Sequence, residues 1–215
     1  NPVIYPDNVM VLMMQPLAKD SCVVLPVTYN NTAPEYYVDW GDGTKDTIKS
    51  KSYPKHKYNE ASRLFPVQIS GKVKSISRVS VTKHDADLVE VIQWGDLSLA
   101  SVNFEYQTNL VRIAAPKGDE LKNVQSCNNM FHNCKSLKEI PTKFMHGLSP
   151  KTTNFNNTFD GCESLEYLDP DIFKNFTTSG IAMRALFLNC KKLKNAPTFK
   201  YFNFKPTCEY LYNQT

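Results

Sequence analysis

The chain has 215 residues, 41% of them hydrophobic and 21% charged, which suggests one large domain or two small ones with enough residues to bury a core. Lys and Arg outnumber Asp and Glu by 25 to 21, but no Arg-rich run is present to neutralise adjacent phosphates, so we expect no nucleic-acid partner. The longest apolar run, residues 9–14, is far shorter than the roughly 20 residues of a transmembrane helix. We therefore expect no transmembrane segment.

From about residue 9 to residue 81 the sequence predicts short β-strands separated by turns. Phe65, Val67 and Ile69 share one face of a predicted strand, because successive side chains of a strand point to opposite faces. Similar runs begin at Cys22 and Tyr36. Short alternating runs with turn residues between them are typical of a β-sandwich.

A tight turn follows the run that begins at Tyr36. In Asp39-Trp40-Gly41-Asp42-Gly43-Thr44 the glycines permit positive φ and the aspartates can accept backbone N–H bonds. With His56-Lys57-Tyr58 and Val67-Gln68-Ile69-Ser70-Gly71, this turn resembles a PKD-type immunoglobulin-like domain, whose pattern is WGDG, H-x-Y and V-x-I-S-G in that order. The resemblance covers residues 1–80 and implies a seven-stranded sandwich used as an extracellular spacer or binding module.

The carboxylates of Asp39, Asp42 and Asp46 allow two interpretations. Carboxylates that lie two to four residues apart on a loop suit a hard cation, which makes these three a candidate calcium loop. The alternative is a turn in which they accept backbone N–H bonds. Because the second interpretation accounts for the same residues without a metal, we expect neither a metal nor a cofactor.

The second half of the chain repeats with a period of 27–28 residues. The matching columns are Phe131, Phe159 and Phe187; Cys134, Cys162 and Cys190; and Leu137, Leu165 and Leu193. An earlier, imperfect copy has Phe104 in the first column and Gln107 in place of the cysteine. Since one such unit cannot bury its apolar face alone, we expect successive units to stack with these columns inside.

The apolar spacing within each unit predicts a short helix followed by a short strand. Cys127, Met130, Phe131 and Cys134 fall at i, i+3, i+4 and i+7, one face of an α-helix. The same spacing recurs at 155–162 and 183–190, and the brief strands are predicted at 137–140, 165–168 and 193–196. The sequence thus predicts a β-sandwich followed by an α/β leucine-rich-repeat solenoid of about four turns.

These repeats resemble the BspA-type leucine-rich repeats of surface proteins from anaerobic gut and oral bacteria. The resemblance rests on the core M-F-x-x-C-x-x-L, matched at 130–137, 158–165 and 186–193 with Thr158 and Leu186 in place of Met. It implies a second domain at 81–215. That domain divides into an entry strand at 88–96, repeats at about 97–123, 124–151, 152–179 and 180–207, and a partial copy at 208–215.

The sequence offers little for catalysis. No GxSxG, HExxH, P-loop or dinucleotide fingerprint occurs, and we expect no enzymatic activity. Histidines 56, 84, 132 and 146 are the only candidates for a base at neutral pH. We expect the repeated cysteines to be reduced core residues, because buried Cys behaves as a small hydrophobe. The redox state of Cys22 and Cys208 stays open.

In successive repeats, the residues between the buried positions are expected to form a continuous exposed surface. The candidate ligand contacts on it are Arg112, Glu139, Tyr167 and Asn195. Mixed charge beside a tyrosine suits a protein or a glycan, and an ordinary solvated face is the alternative. A late aromatic stretch is expected to cover the end of the repeats or to stack on sugars; it contains Phe199, Tyr201, Phe202, Phe204, Tyr210 and Tyr212.

These features together predict a non-enzymatic, monomeric protein of the cell surface that binds a host or neighbouring-cell protein through its repeats. The alternative is a carbohydrate-binding accessory protein. We expect an extracellular location with an outer-membrane lipid anchor, and a signal segment that this chain lacks. Both functions rest on modular architecture and family likeness, which do not specify the ligand.

Overall fold

The computed structural model describes residues 3–28, 35–79 and 86–202, which hold eleven β-strands and one short helix. The first eight strands are β1 (Met10–Met14), β2 (Cys22–Val24), β3 (Val27–Thr28), β4 (Tyr36–Asp39), β5 (Lys45–Ile48), β6 (Lys55–Lys57), β7 (Phe65–Gly71) and β8 (Ser75–Ile76). The later elements are β9 (Leu88–Gln93), β10 (Ser101–Val102), β11 (Arg112–Ile113) and α1 (Thr142–His146).

The strands form three sheets. The largest has six strands in the order β11-β9-β1-β7-β4-β5 and is antiparallel except for the β11-β9 pair. A three-stranded sheet has the order β10-β8-β3, and β2 pairs with β6. Side chains from all three sheets contribute to one hydrophobic core. This arrangement is compatible with the sandwich part of the prediction.

The alternation predicted for β7 is confirmed. Phe65, Val67 and Ile69 are each at most 2% exposed, while the residues between them are partly exposed. The apolar run at 9–14 contains the central strand β1, which pairs with β7 on one side and β9 on the other. Val11 and Leu12 of β1 point to opposite faces and both are fully buried, so this strand is covered on both faces.

Strands that follow residue 86 extend the sheets of the first half. β9 pairs with β1, β11 pairs with β9, and β10 pairs with β8. The first repeat therefore begins on the edges of sheets built from earlier strands, and one core runs through both halves. The domain boundary predicted at residue 80 lies outside the described residues.

The predicted α/β leucine-rich-repeat solenoid is wrong for this structure. The described residues have one helix, the five-residue α1, and it does not coincide with a predicted helix. Residues 128–133 form turns, and no strand occupies 137–140, 165–168 or 193–196. The described residues also contain no helix with the length and apolar character that crossing a membrane requires.

Left-handed backbone at fixed positions of each repeat explains the missing helices. One such position is occupied by Asn129, Asn157 and Ala185, with φ of 55, 52 and 51°. Four residues later, a second is occupied by Asn133, Gly161 and Asn189, with φ of 58, 75 and 57°. An α-helix of L-residues is right-handed, so a residue in the left-handed region interrupts it. Asn and Gly adopt this conformation most readily.

Backbone hydrogen bonds run between repeats instead of along a helix. The N–H groups of alternate residues donate to the next repeat, as in Asn129 to Asn156 at 3.0 Å and Phe131 to Thr158 at 2.9 Å. An intervening residue, Met130, donates to the carbonyl three residues earlier, at 3.0 Å. Each repeat thus depends on its neighbour to satisfy its backbone donors.

The repeated apolar residues lie in the core. The rings of Phe131 and Phe159 are 5.8 Å apart and those of Phe159 and Phe187 are 5.7 Å apart, with 7° between the planes in both pairs. Most of the other column members are fully buried: Cys134, Cys162, Leu137 and Leu165. Cys190 and Leu193, at the late end, are only partly buried. A step of 27–28 residues along the sequence therefore brings equivalent side chains into contact in the stack.

The phenylalanine column provides a test of this packing. Phe159→Ala removes the central ring of the stack and should lower the free energy of unfolding by about 3–5 kcal/mol. Chemical denaturation measures this change. Tyr167→Ala, at a 58% exposed ring, is the control and should change it by no more than about 0.5 kcal/mol. Equal effects of the two substitutions would contradict the stacking.

Substitution of two glycines allows the cost of left-handed backbone strain to be measured apart from the cost of a steric clash. Gly161 and Gly180 have φ of 75 and 73°, but a Cβ at Gly161 would meet the side chain of Asn133, whereas one at Gly180 would meet nothing within 4 Å. Gly180→Ala should cost roughly 1–2 kcal/mol of stability from left-handed strain alone. Gly161→Ala should cost more than Gly180→Ala, because the Asn133 side chain must rotate away and its backbone must shift slightly. Thermal unfolding of both variants gives the comparison.

Candidate functional site

The most regular polar surface is formed by residues on either side of the leucine column in the sequence. Lys138 and Glu139 are exposed between the buried Leu137 and Ile140. We call this surface the ladder face. It consists of Arg112, Lys135, Lys138, Glu139, Glu163, Glu166, Tyr167, Lys191, Lys192, Lys194 and Asn195.

The ladder face is held by backbone contacts between repeats although it is not a regular sheet. The N–H of Lys138 donates to the carbonyl of Val111 at 3.2 Å, and that of Lys194 donates to the carbonyl of Glu166 at 3.0 Å. These bonds join residues 27 and 28 positions apart, the same spacing as in the core. The core register therefore also sets which surface side chains are neighbours.

Ion pairs connect the columns of the ladder face. Glu163 contacts Nζ of Lys191 at 2.7 Å and Nζ of Lys135 at 3.4 Å. Glu166 contacts Nζ of Lys194 at 2.7 Å. Hydrogen bonds from these lysines lower the pKa of both glutamates, so the carboxylates stay ionised at neutral pH. Because the pairs are exposed, water and salt screen them and they add little to stability.

The four predicted contacts have different environments on this face. Tyr167 is exposed. Arg112 donates to Glu90 at 3.0 Å, and this hydrogen bond raises the pKa of the guanidinium; Glu139 is exposed beside it. The Asn195 amide donates to the carbonyl of Leu168 at 2.7 Å and accepts from its N–H at 3.1 Å. Asn195 therefore links two repeats, with both polar atoms already engaged.

The candidate calcium loop is an internally bonded turn. Asp39 accepts from the N–H of Gly41 at 3.0 Å and contacts Nζ of Lys45 at 2.9 Å. Asp46 accepts from Nε1 of the buried Trp40 at 2.8 Å. The described residues contain no group of three His, Cys, Asp or Glu side chains placed to hold a metal ion. The structure therefore favours the turn over the calcium site.

Asp42 is the most strongly bonded carboxylate of this turn. Its Oδ1 accepts from the N–H and hydroxyl of Thr44 at 3.0 and 2.6 Å, and its Oδ2 lies 2.8 Å from Nε2 of His56. Burial raises the pKa of Asp42, but the hydrogen bonds from Thr44 and His56 and the charge of His56 outweigh it and lower the pKa to about 2. The His56 ring also stacks on Trp40, with centroids 4.7 Å apart.

A polar cluster joins three repeats. The periodicity of apolar residues does not reveal it. Nδ1 of His132 lies 2.9 Å from Glu105, and Nε2 lies 3.4 Å from Asp160. Burial raises the pKa of Asp160, while Asn189 and His132 act in the opposite direction. These three side chains occupy one column of the repeat, which could have been found by extending the periodicity search from apolar to charged residues.

None of the described histidines has the geometry of a catalytic relay. Such a relay needs a carboxylate on one ring nitrogen and a nucleophile on the other. Asp42 and Thr44 both approach Nε2 of His56. The two ring nitrogens of His132 both face carboxylates, and Nε2 of His146 meets the backbone carbonyl of Asp171 at 3.1 Å. His84 lies outside the described residues.

The repeated cysteines are free thiols that hydrogen bond to the backbone. Sγ of Cys134 lies 3.2 Å from the carbonyl of Phe104, and Sγ of Cys162 lies 3.2 Å from that of Phe131. Burial raises the pKa of Cys190 to about 12, so this thiol stays protonated at neutral pH. Cys22 is exposed and free, whereas Cys208 lies outside the described residues.

The described part of the late aromatic stretch packs on the core. Phe199 and Phe202 lie with their ring centroids 5.9 and 5.8 Å from that of Phe173. This arrangement fits the expectation that these rings cover the end of the repeats. Phe204, Tyr210 and Tyr212 lie outside the described residues.

Comparisons with family models, with curated proteins and with solved structures find no match to this chain. The resemblances to PKD-type domains and to BspA-type repeats therefore rest on the sequence motifs alone.

The lowered pKa of Asp42 predicts how the stability of the protein depends on pH. Because folding lowers the pKa of Asp42 from its ordinary value near 4 to about 2, its stabilising effect is complete above about pH 4 and is lost as the pH falls from about 4 to about 2. At pH 7, Asp42→Asn should lower the free energy of unfolding by about 1 kcal/mol, a value reduced for solvent screening. Urea denaturation at several pH values should show that the difference in free energy of unfolding between Asp42→Asn and the unsubstituted protein vanishes near pH 2.

The exposed Asp119 provides the control for this experiment. Asp119→Asn should change stability by less than about 0.5 kcal/mol at neutral pH. A loss for Asp42→Asn that persists unchanged at pH 2 would show that the carboxylate charge is not the cause.

Proposed function

We propose that this chain is a monomeric, non-enzymatic protein of the cell surface that binds a protein of a host or neighbouring cell through the ladder face. The observation that carries the proposal is the position of Tyr167. Its side chain is 58% exposed on a face whose flanking residues, Leu165 and Leu168, are fully buried. Tyrosine is enriched at protein interfaces, where a rigid ring contributes large contact area at low entropic cost.

The order of the ladder face also supports a binding role. Backbone bonds between repeats, such as that from Lys194 to Glu166, hold the main chain around Tyr167 in place before any partner arrives. A preorganised surface loses less conformational entropy on association. The mixture of charges further suits a protein, whose own surface carries both signs.

The other parts of the proposal depend on the histidine geometry and on the motifs. The arrangements at His56, His132 and His146 do not support a hydrolase, because each lacks a nucleophile opposite a carboxylate. The motif resemblances to PKD-type domains and BspA-type repeats support export to the cell surface with a lipid anchor.

The function can be tested by capture from extracellular matrix and mucus extracts, with mass spectrometry of the retained proteins. The intact chain should retain a defined set of proteins, and Tyr167→Ala should reduce that retention about tenfold or more, as expected for an aromatic interface residue. Leu17→Ala removes another large exposed hydrophobic side chain, outside the ladder face, and is the matched control. Identical retention by all three proteins would contradict the role of the ladder face.

A groove in the first half favours carbohydrate binding as the second candidate function. It has a volume of about 420 Å³ and lies on the six-stranded sheet, where Tyr37 is flanked by Thr47, Gln68 and Ser70. The Tyr37 hydroxyl donates to Glu35 at 2.7 Å, which limits the movement of the ring. A fixed aromatic ring among hydroxyl and amide groups suits a saccharide. Retention on a glycan array that is lost in Tyr37→Ala and kept in Tyr167→Ala would support this candidate.

A further inference from the structure

The late part of the ladder face carries an excess of positive charge. Five exposed lysines surround two glutamates there, and we call them the lysine cluster: Lys135, Lys138, Lys191, Lys192 and Lys194. Glu163 is shared by two of these lysines, and Glu166 contacts one of them directly. Among the described residues, Lys138 and Lys192 have no carboxylate within ion-pair distance, although both lie near enough to Glu166 to lower its pKa. Internal pairing therefore leaves part of the positive charge uncompensated.

Two carboxylates border the lysine cluster. Glu90 and Glu139 both lie beside Arg112, and Glu139 directly follows Lys138 in the chain. The excess of positive charge is therefore on the lysine cluster and not around Arg112. Tyr167 directly follows Glu166, a carboxylate that the cluster surrounds.

We infer that the lysine cluster is the docking site for an acidic segment of the partner protein, an inference that rests on the proposed function. Charge complementarity is the argument, because an exposed excess of lysines steers and orients an acidic surface. The observed partners of these lysines are carboxylates, those of Glu163 and Glu166, which favours an acidic polypeptide over a sulfated glycan.

Labelled poly-L-glutamate is the probe for an acidic polypeptide, and heparin is the probe for a sulfated glycan. At an ionic strength of about 0.01 M the intact chain should bind poly-L-glutamate more tightly than heparin, and the affinity should fall steeply at about 0.15 M as salt screens the lysines. Lys138→Ala and Lys192→Ala should each weaken binding about two- to fivefold at low salt.

Two further kinds of variant distinguish the lysine cluster from general charge effects. Glu166→Gln removes a carboxylate that competes for Lys194, so it should strengthen poly-L-glutamate binding. Lys143→Ala and Lys174→Ala change the net charge equally, at exposed lysines outside the ladder face, and should leave binding within about twofold of the intact chain. Loss of binding in these controls equal to that in the cluster variants would overturn the inference. Tighter binding of heparin, or no binding of poly-L-glutamate, would overturn it as well.

The capture experiment separates failure of this inference from failure of the proposed function. If Tyr167→Ala loses the captured proteins while Lys138→Ala and Lys192→Ala retain them, the ladder face binds a protein without an acidic contact. If neither class of variant affects capture, the proposed function itself is wrong. Loss of capture in both classes, with Lys143→Ala unaffected, supports both.

Discussion

The structure depends on the exact 27–28-residue register between successive repeats. That register places the ring of Phe159 within 5.8 Å of those of Phe131 and Phe187 and pairs backbone donors of one repeat with acceptors of the next. Neither contribution can form within one repeat, because a single repeat has no neighbour for its rings or for its alternate N–H groups. A shift of one residue would break the hydrogen bonds and the ring stack together.

The exposed surface follows from the same register. Once the leucine columns are buried, the residues next to them must face water at matching heights, and charged groups of successive repeats become neighbours. The Glu163 and Glu166 pairs and the column of Glu105, His132 and Asp160 all arise in this way. A binding face can thus change its charges from repeat to repeat without a change in the packing that supports it.

The periodicity of the sequence predicted the repeat length and most of the buried residues, with Cys190 and Leu193 only partly buried, but it predicted the wrong local structure. Spacings of three, four and seven among Cys127, Phe131 and Cys134 are typical of a helix, yet the structure has turns there. The contrary signal was a second set of columns, in which Asn133, Gly161 and Asn189 recur at left-handed positions. Apolar spacing reports which residues are buried, whereas residues that tolerate positive φ report where a helix cannot continue.

The sequence by itself determined the alternation of β7, the turn at Asp42 and the identity of the stacked columns, because these depend on local backbone preference and on periodicity. Only the tertiary structure decided that β9 joins β1 and that Asn195 is engaged with Leu168. Such contacts connect residues that are tens of positions apart, and their geometry is set by how the repeats and sheets pack. No local pattern contains that information, because it arises when neighbouring units are brought together.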